Sequence, residues 1–306
     1  MIKIENLYKS YNGNNVLNGL SIELEENSDG LIYGFLGKNG AGKTTTMNIL
    51  NGLAKFDSGE CVVNGVRLNP KKRVVLNSVG FLPESPSVYE YLSATEYLSF
   101  LGSINKDAGS KSVDELLELT GLYSVKDKKI GGFSRGMSQR LGIASALIND
   151  PSLIFLDEPT SALDPEGRYM ILELLQELKN DGKTIFLSTH LLDDVERVCD
   201  KVGILDKGKL VIEGNMDQLL NETVGIIYDL KIENHNNLVN LKNDLENYDF
   251  IRLANKSNDY LQIHLDNDND KNKLLQILID KNVNLISFNL HKTKLEDIFL
   301  SLYKEN

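Results

Sequence analysis

The chain has 306 residues, room for two domains at about 150 residues each, and its 41% hydrophobic and 25% charged residues exclude a mostly disordered polymer. Its 33 basic and 44 acidic side chains leave a net charge of −11, which argues against a duplex-binding surface. No apolar run reaches the roughly 18–20 residues that cross a bilayer, and the two cysteines, Cys61 and Cys199, exclude a disulfide framework and fit a reducing compartment.

In chain order, MIKIENLYKS lacks the apolar core of a signal peptide, so the expectation is a cytoplasmic chain. Strand-like stretches at 2–8 and 16–24 come first. A third, LIYGFL at 31–36, runs into Gly37-Lys38-Asn39-Gly40-Ala41-Gly42-Lys43-Thr44, and helical periodicity follows at 43–53. The string fits G-x-x-x-x-G-K-[ST], with the strand before and helix after that the motif needs. Glycines let successive backbone N–H groups turn inward around phosphate oxygens, and the helix N-terminus adds the positive end of its dipole. The expected phosphate-binding residues are therefore Gly37, Asn39, Gly40, Ala41, Gly42, Lys43, Thr44 and Thr45. Lys43 is expected to reach the β- and γ-phosphates, and the Thr44 hydroxyl to ligate Mg²⁺.

Strands at 60–68 and 79–82 and helical patterns at 93–103, 113–120 and 138–149 lead to LIFLD at 153–157, which ends in Asp157 and Glu158. Strand alternation points these two carboxylates in different directions. Asp157 is the Mg²⁺ candidate, and Glu158 is the candidate base for an attacking water. A helix at 166–180, a strand at 184–189, a helix at 191–200 and strands at 202–205 and 209–212 complete this part. Asn64–Gly65 and Lys207–Gly208 read as hairpin turns. Apolar strands alternating with helices imply an α/β core with a largely parallel sheet. A guanine-reading N-K-x-D is missing: the nearest string, Asn255-Lys256-Ser257-Asn258, lies in another part of the chain and ends in Asn. The nucleotide is therefore read as ATP.

Residues 221–306 hold no proline, one glycine and 16 asparagines, a composition shift that suggests a boundary near Asn221. The expected domains are 1–220 and 221–306. The second reads β-α-β-β-α-β, a ferredoxin-like α+β unit, followed by a helix in KLEDIFLSLYK. It carries no catalytic motif. Its histidines, His235, His264 and His291, lack metal-ligand spacing.

Taken together, these residues resemble the ATP-binding cassette (ABC) family of P-loop NTPases. Phe133-Ser134-Arg135-Gly136-Met137-Ser138-Gln139-Arg140 looks like that family's signature loop, matching at Ser134 and Gly136. Its S-x-G-M form resembles bacterial exporter cassettes that work with a separate membrane subunit. Tyr11 sits where the family places an aromatic stacked on adenine. Ser161-Ala162-Leu163-Asp164 matches the loop linking two nucleotide sites across a dimer, and His190 matches the switch histidine. Glu84, in Val79-Gly80-Phe81-Leu82-Pro83-Glu84, stands where the family usually carries Gln. A glutamate can ligate Mg²⁺ or orient water but cannot donate amide hydrogen bonds. Leu295-Glu296-Asp297-Ile298-Phe299 resembles the closing motif of an accessory domain found on some cassettes.

The resemblance implies a cassette fold with a helical subdomain, ATP and Mg²⁺ as ligands, and catalysis by Glu158, His190 and Lys43. It implies Tyr11, Glu84, Ser134, Gly136 and Asp164 at the nucleotide, and Thr44, Asp157 and Glu84 at the metal. One phosphate loop and one signature loop imply a head-to-tail homodimer that ATP closes and hydrolysis reopens. A chain without a membrane span implies a separate transmembrane subunit, docked on 93–121 with Tyr89 and Tyr91 as contacts or as internal packing, and a location on the inner face of the cell membrane. The alternative is a non-transport cassette ATPase of repair, translation or regulation. Only 91 positions separate Lys43 from Ser134, which leaves no room for the long coiled-coil insertion of repair types, and translation types carry two cassettes.

Overall fold

A computed structural model describes residues 1–74, 76, 78–104, 111–161, 163–222, 226–233, 238–257, 260–265, 267–291 and 294–304. The chain forms two compact units, Met1–Met216 and Asp217–Asn306.

The first unit opens with a hairpin of β1 (Ile2–Tyr11) and β2 (Asn14–Leu24), then β3 (Leu31–Leu36) and helix α1 (Lys43–Leu50). β4 (Ser58–Val63), β5 (Val66–Arg67) and β6 (Val79–Leu82) follow. Helices α2 (Ala94–Ile104), α3 (Val113–Leu119) and α4 (Arg135–Ala146) come next. β7 (Leu153–Asp157), α5 (Pro165–Asn180), β8 (Thr184–Thr189), α6 (Leu192–Val198), β9 (Lys201–Asp206) and β10 (Lys209–Asn215) close the unit. An antiparallel sheet runs β2-β1-β4-β5. A six-stranded sheet runs β10-β9-β3-β8-β7-β6, parallel except for the edge strand β10. The α/β expectation therefore holds. Every residue of β3, β7 and β8 is buried. That accounts for their unbroken apolar runs, since a strand covered on both faces has no polar side to alternate.

The run 60–68 divides into two strands because Asn64 and Gly65 turn the chain with φ of 47° and 77°. Lys207 and Gly208 turn with 46° and 77°. Two consecutive positive φ values suit the right-handed twist of a hairpin. Helix α4 starts at Arg135, three residues before the apolar periodicity, because the Ser134 hydroxyl caps it by accepting the Met137 N–H at 3.3 Å. Ser112 and Glu115 form a reciprocal capping box on α3. Both cysteines are buried, and burial pushes the Cys61 thiol up to about 12 and Cys199 well above its usual value. No helix among the described residues is long and apolar enough to cross a membrane.

Helix α7 (Met216–Glu222) leads into the second unit. It contains β11 (Ile226–Ile232), α8 (Leu238–Leu245), β12 (Ile251–Ser257), β13 (Tyr260–Leu265), α9 (Lys271–Asp280), β14 (Leu285–Leu290) and α10 (Leu295–Lys304). Its sheet order is β12-β13-β11-β14, antiparallel at every pairing. That is the ferredoxin-like arrangement, in which each helical crossover skips one strand position. Leu230, Leu261, Ile263, Leu274 and Leu278 fill its core.

His291, just past β14, fastens three elements of this unit. Its Nδ1 lies 2.8 Å from Asp229 on β11, its Nε2 lies 3.4 Å from Asp297 on α10, and its backbone N–H donates to the Ile227 carbonyl. Burial works against its charge, but the hydrogen bond and charge of Asp229, joined by Asp297, prevail and raise its pKa. Burial, and then the His291 charge, lower that of His264. His235 lies outside the described residues.

A raised histidine stabilises the fold fully below its unfolded pKa and loses that contribution as pH rises through the folded value. The stability gap between the wild type and His291→Gln is therefore expected to be wide near pH ~5.5 and to shrink toward pH ~8.5, on either side of the ordinary histidine value of about 6.5. Urea titrations at both pH values measure it; a gap that widens with pH would contradict the assignment.

Candidate functional site

β3 carries the chain into the glycine-rich loop, and α1 begins at Lys43, so the loop amides stand at a helix N-terminus. Gly42 has φ of 113°, and a Cβ there would lie 2.8 Å from Leu17 and 3.0 Å from the Val16 carbonyl. A Cβ on Gly37 would lie 2.6 Å from the Leu205 carbonyl. The loop is held against β2 and β9 at a distance that only glycine permits. Lys43 is buried, donates to the Gly37 carbonyl at 2.7 Å and stands 3.3 Å from Glu158 Oε1.

β7 brings the carboxylates to the same place. Asp157, 1% exposed, accepts hydrogen bonds from the hydroxyls of Ser188 and Thr44. Burial raises its pKa, the two hydroxyls pull it down, and the charges of Glu158 and Glu84 push it up again. A buried carboxylate beside a threonine hydroxyl, with Glu84 close enough for its charge to act on it, is a set of hard oxygen donors of the kind Mg²⁺ takes. These residues fit that ion.

Glu158 diverges from Asp157 for a reason other than strand alternation. It lies just past the strand end with φ of 51°, an uncommon conformation for a residue with a Cβ. Its own N–H donates to the Ser188 carbonyl. The turn sends its side chain to Lys43 and to His190, whose Nδ1 lies 2.8 Å from Oε2. His190 stands at the end of β8 and is exposed at the rim.

A cavity of about 450 Å³ gathers Asn39, Gly40, Lys43, Thr44, Glu158 and His190, with Gly42, Thr45 and Glu84 also in its wall. Ala41 and Asp157 lie buried outside its lining. Val16 and Ser161 line it too. Val16 carries no motif, since an apolar wall needs no particular residue type. Ser161 could have been taken as a site residue from the Ser161–Asp164 string, of which Ala162 lies outside the described residues. Tyr11 does not line the cavity. It is 47% exposed, with the Lys9 ammonium 4.6 Å over its ring.

Ser134, Gly136 and Asp164 belong to a second cavity of about 420 Å³ that shares no lining residue with the first. Its wall is two helix N-termini: Ser134 caps α4, and Asp164 caps α5 by accepting the Gly167 N–H at 3.2 Å. The residues named from sequence thus fall into two groups within one chain. Elsewhere on this unit, Tyr89 and Tyr91 are exposed, and Tyr89 packs edge-on against Tyr97 and Phe100. Residues 105–110 of the proposed docking stretch lie outside the described residues.

Residues 17–161 match the family model described as ABC transporter, and residues 210–303 match that of the ATP-binding protein DrrA1-3-like, C-terminal domain. The chain is 34% identical to YxlF of Bacillus subtilis, an uncharacterized ABC transporter ATP-binding protein, over 99% of each chain. It is 34% identical to the bacitracin transport ATP-binding protein BcrA of Bacillus licheniformis, over 99% of this chain and 97% of the relative. A solved dimer of the ATP-binding cassette MJ0796, in a post-hydrolysis state bound to ADP and Pi, superposes with a TM-score of 0.61 at 25% identity, covering 71% of this chain and 99% of that one.

Lys43→Ala removes the one side-chain cation in the loop wall of the first cavity, as far as the described residues show. It is expected to weaken Mg-ATP binding roughly tenfold or more, since hydrogen bonds to charged groups are worth about 1.5–3 kcal/mol. Titration with a fluorescent ATP analogue reads the affinity; an unchanged value would refute the phosphate role.

Proposed function

This chain belongs to the ATP-binding proteins of ABC transporters, and on that premise we propose that two copies face head to tail, hydrolyse Mg-ATP between them and drive export through a separate membrane subunit. The carrying observation is the division of the candidate residues between two cavities. The first offers a phosphate loop, metal-type oxygens and the Glu158–His190 pair. The second offers the Ser134 hydroxyl at the N-terminus of α4, which suits a phosphate anion, with Asp164 at the start of α5 beside it. Neither holds a full set, and a head-to-tail pair places the second cavity of one copy over the first of the other.

Each side chain then has a task. Lys43 and the loop amides bind the phosphates. Thr44, Asp157 and Glu84 hold Mg²⁺, which offsets phosphate charge when bound. Glu158 orients the attacking water and accepts its proton, and His190 fixes Glu158 through their 2.8 Å contact. Ser134 and Gly136 grip the γ-phosphate from the other copy, with Asp164 beside them. Tyr11 stacks on adenine with the ring face that Lys9 leaves open.

Exposed Tyr89, Tyr91 and Phe100 support docking of the membrane subunit on 93–121; a chain docked there lies on the inner face of the cell membrane. The relation to BcrA, a bacitracin transport protein, supports an exporter. Residues 1–220 serve as the cassette and 221–306 as an accessory module.

Glu158→Gln keeps the shape of the site but removes the base. ATP turnover is expected to fall at least ~100-fold, the lower range for general-base loss, while ATP binding persists. Because hydrolysis no longer reopens the pair, light scattering at saturating ATP should find a dimer. A variant that hydrolyses at the wild-type rate removes the base assignment, and one that stays monomeric with bound ATP removes the head-to-tail assignment.

A further inference from the structure

Asp194 is 1% exposed in the first turn of α6, four residues after His190. Neither carboxylate oxygen caps its own helix. Oδ2 accepts the Thr160 hydroxyl at 2.5 Å, and Oδ1 accepts Arg168 Nε at 2.5 Å. Thr160 stands two residues after Glu158. Arg168 stands in the first turn of α5, and its backbone N–H donates to the Asp164 carbonyl at 2.9 Å. One buried carboxylate therefore joins three segments: the turn that carries Glu158, the turn that carries His190 and the helix start that carries Asp164.

A structural filler would not need this chemistry. A buried ion pair loses so much hydration that an apolar substitute of similar volume is often as stable or more so. What the carboxylate supplies and an apolar group cannot is direction, with one oxygen committed to each partner. The Thr160–Asp194 bond runs beside the Glu158–His190 contact of 2.8 Å. Two cross-links between the same pair of segments fix the angle between them, where one would leave a pivot.

We propose that Asp194 is a positioning residue for hydrolysis. Through Thr160 it holds Glu158 against His190, and through Arg168 it ties that pair to the Asp164 side of the second cavity. The inference rests on the hydrolytic reading above and deepens it. Around Asp194, Arg168 and Arg197 supply the cations and Asp193 a second carboxylate, in a groove that also exposes Tyr169. Arg197 is engaged with the Tyr169 ring and Glu173, which leaves Arg168 as the guanidinium on Asp194.

The test uses the full-length chain. Thr160→Val removes the hydroxyl and keeps the shape and the Arg168–Asp194 pair. Its kcat for ATP is expected to fall about tenfold, with KM within about twofold of wild type and the melting temperature within a few degrees, a loss of about 1.4 kcal/mol in the barrier step alone. Thr160→Ser restores the hydroxyl and is expected to return kcat to within about twofold. Asp194→Asn turns an amide N–H toward Arg168 or Thr160 and is expected to lose at least as much; should it not fold, the Thr160 pair decides. Wild-type kcat in Thr160→Val, or no rescue by Thr160→Ser, overturns the positioning role while Glu158→Gln still lacks turnover. A wild-type chain without ATPase activity overturns the hydrolytic reading and this inference with it.

Discussion

Glu158 carries a carboxylate into a place where it is 6% exposed, and it does so only because Lys43 and His190 meet it there. A buried charge without partners costs several kcal/mol, so this one contact dictates where three separate stretches of chain must end. Lys43 has to arrive on the helix after β3, Glu158 on the turn after β7 and His190 on the end of β8. The sheet order β3-β8-β7 makes these strands neighbours, and their parallel direction puts all three ends on one edge. The open edge of a parallel sheet, outside the carboxyl ends of its strands, is where α/β proteins bind ligands.

The buried strands make that edge stiff. Tyr33, Phe35, Phe155 and Phe186 are each fully buried, and Phe186 contacts the other three rings. Rings locked in this way keep the spacing of β3, β7 and β8 fixed, and close-packed interiors transmit strain. The loops beyond the strand ends take the unusual backbone angles, Glu158 with φ of 51° and Gly42 with φ of 113°. Strain at such a position persists only when its surroundings over-determine it. The N–H to Ser188 and the side-chain contacts to Lys43 and His190 are those surroundings.

The sequence was most legible where chemistry restricts the residue type. Gly37 and Gly42 have no substitute at their separations, and Asp157 and Glu158 end a strand that is otherwise wholly apolar. The tail carries a compositional signal, strand and helix patterns with almost no glycine or proline, and the compact units divide at Met216 and Asp217. Illegible features fell where geometry rather than residue type decides. Val16 forms a wall that many apolar residues would form. Glu158 departs from Asp157 through one backbone angle, which no alternation pattern encodes. Asp193 and Asp194 read alike, as acidic residues favouring a helix N-terminus, yet the first is exposed and the second buried. Helix phase separates them, and the helix starts at Leu192, one residue after the start that the apolar spacing gave.

That phase also bears on how two nucleotide sites would communicate. In a head-to-tail pair, each copy gives its first cavity to one nucleotide and its second to the other. Communication then requires a connection inside each copy between Glu158–His190 and the loop at Asp164. Packing alone would supply a compliant one. The Thr160–Asp194–Arg168 chain is short and directional, with Thr160 and Asp194 buried, and it ends one hydrogen bond from Asp164. Coupling between binding sites is reciprocal in free energy. A nucleotide that draws the Asp164 loop into place on one side would favour the Glu158–His190 geometry on the other, and the reverse would follow to the same degree.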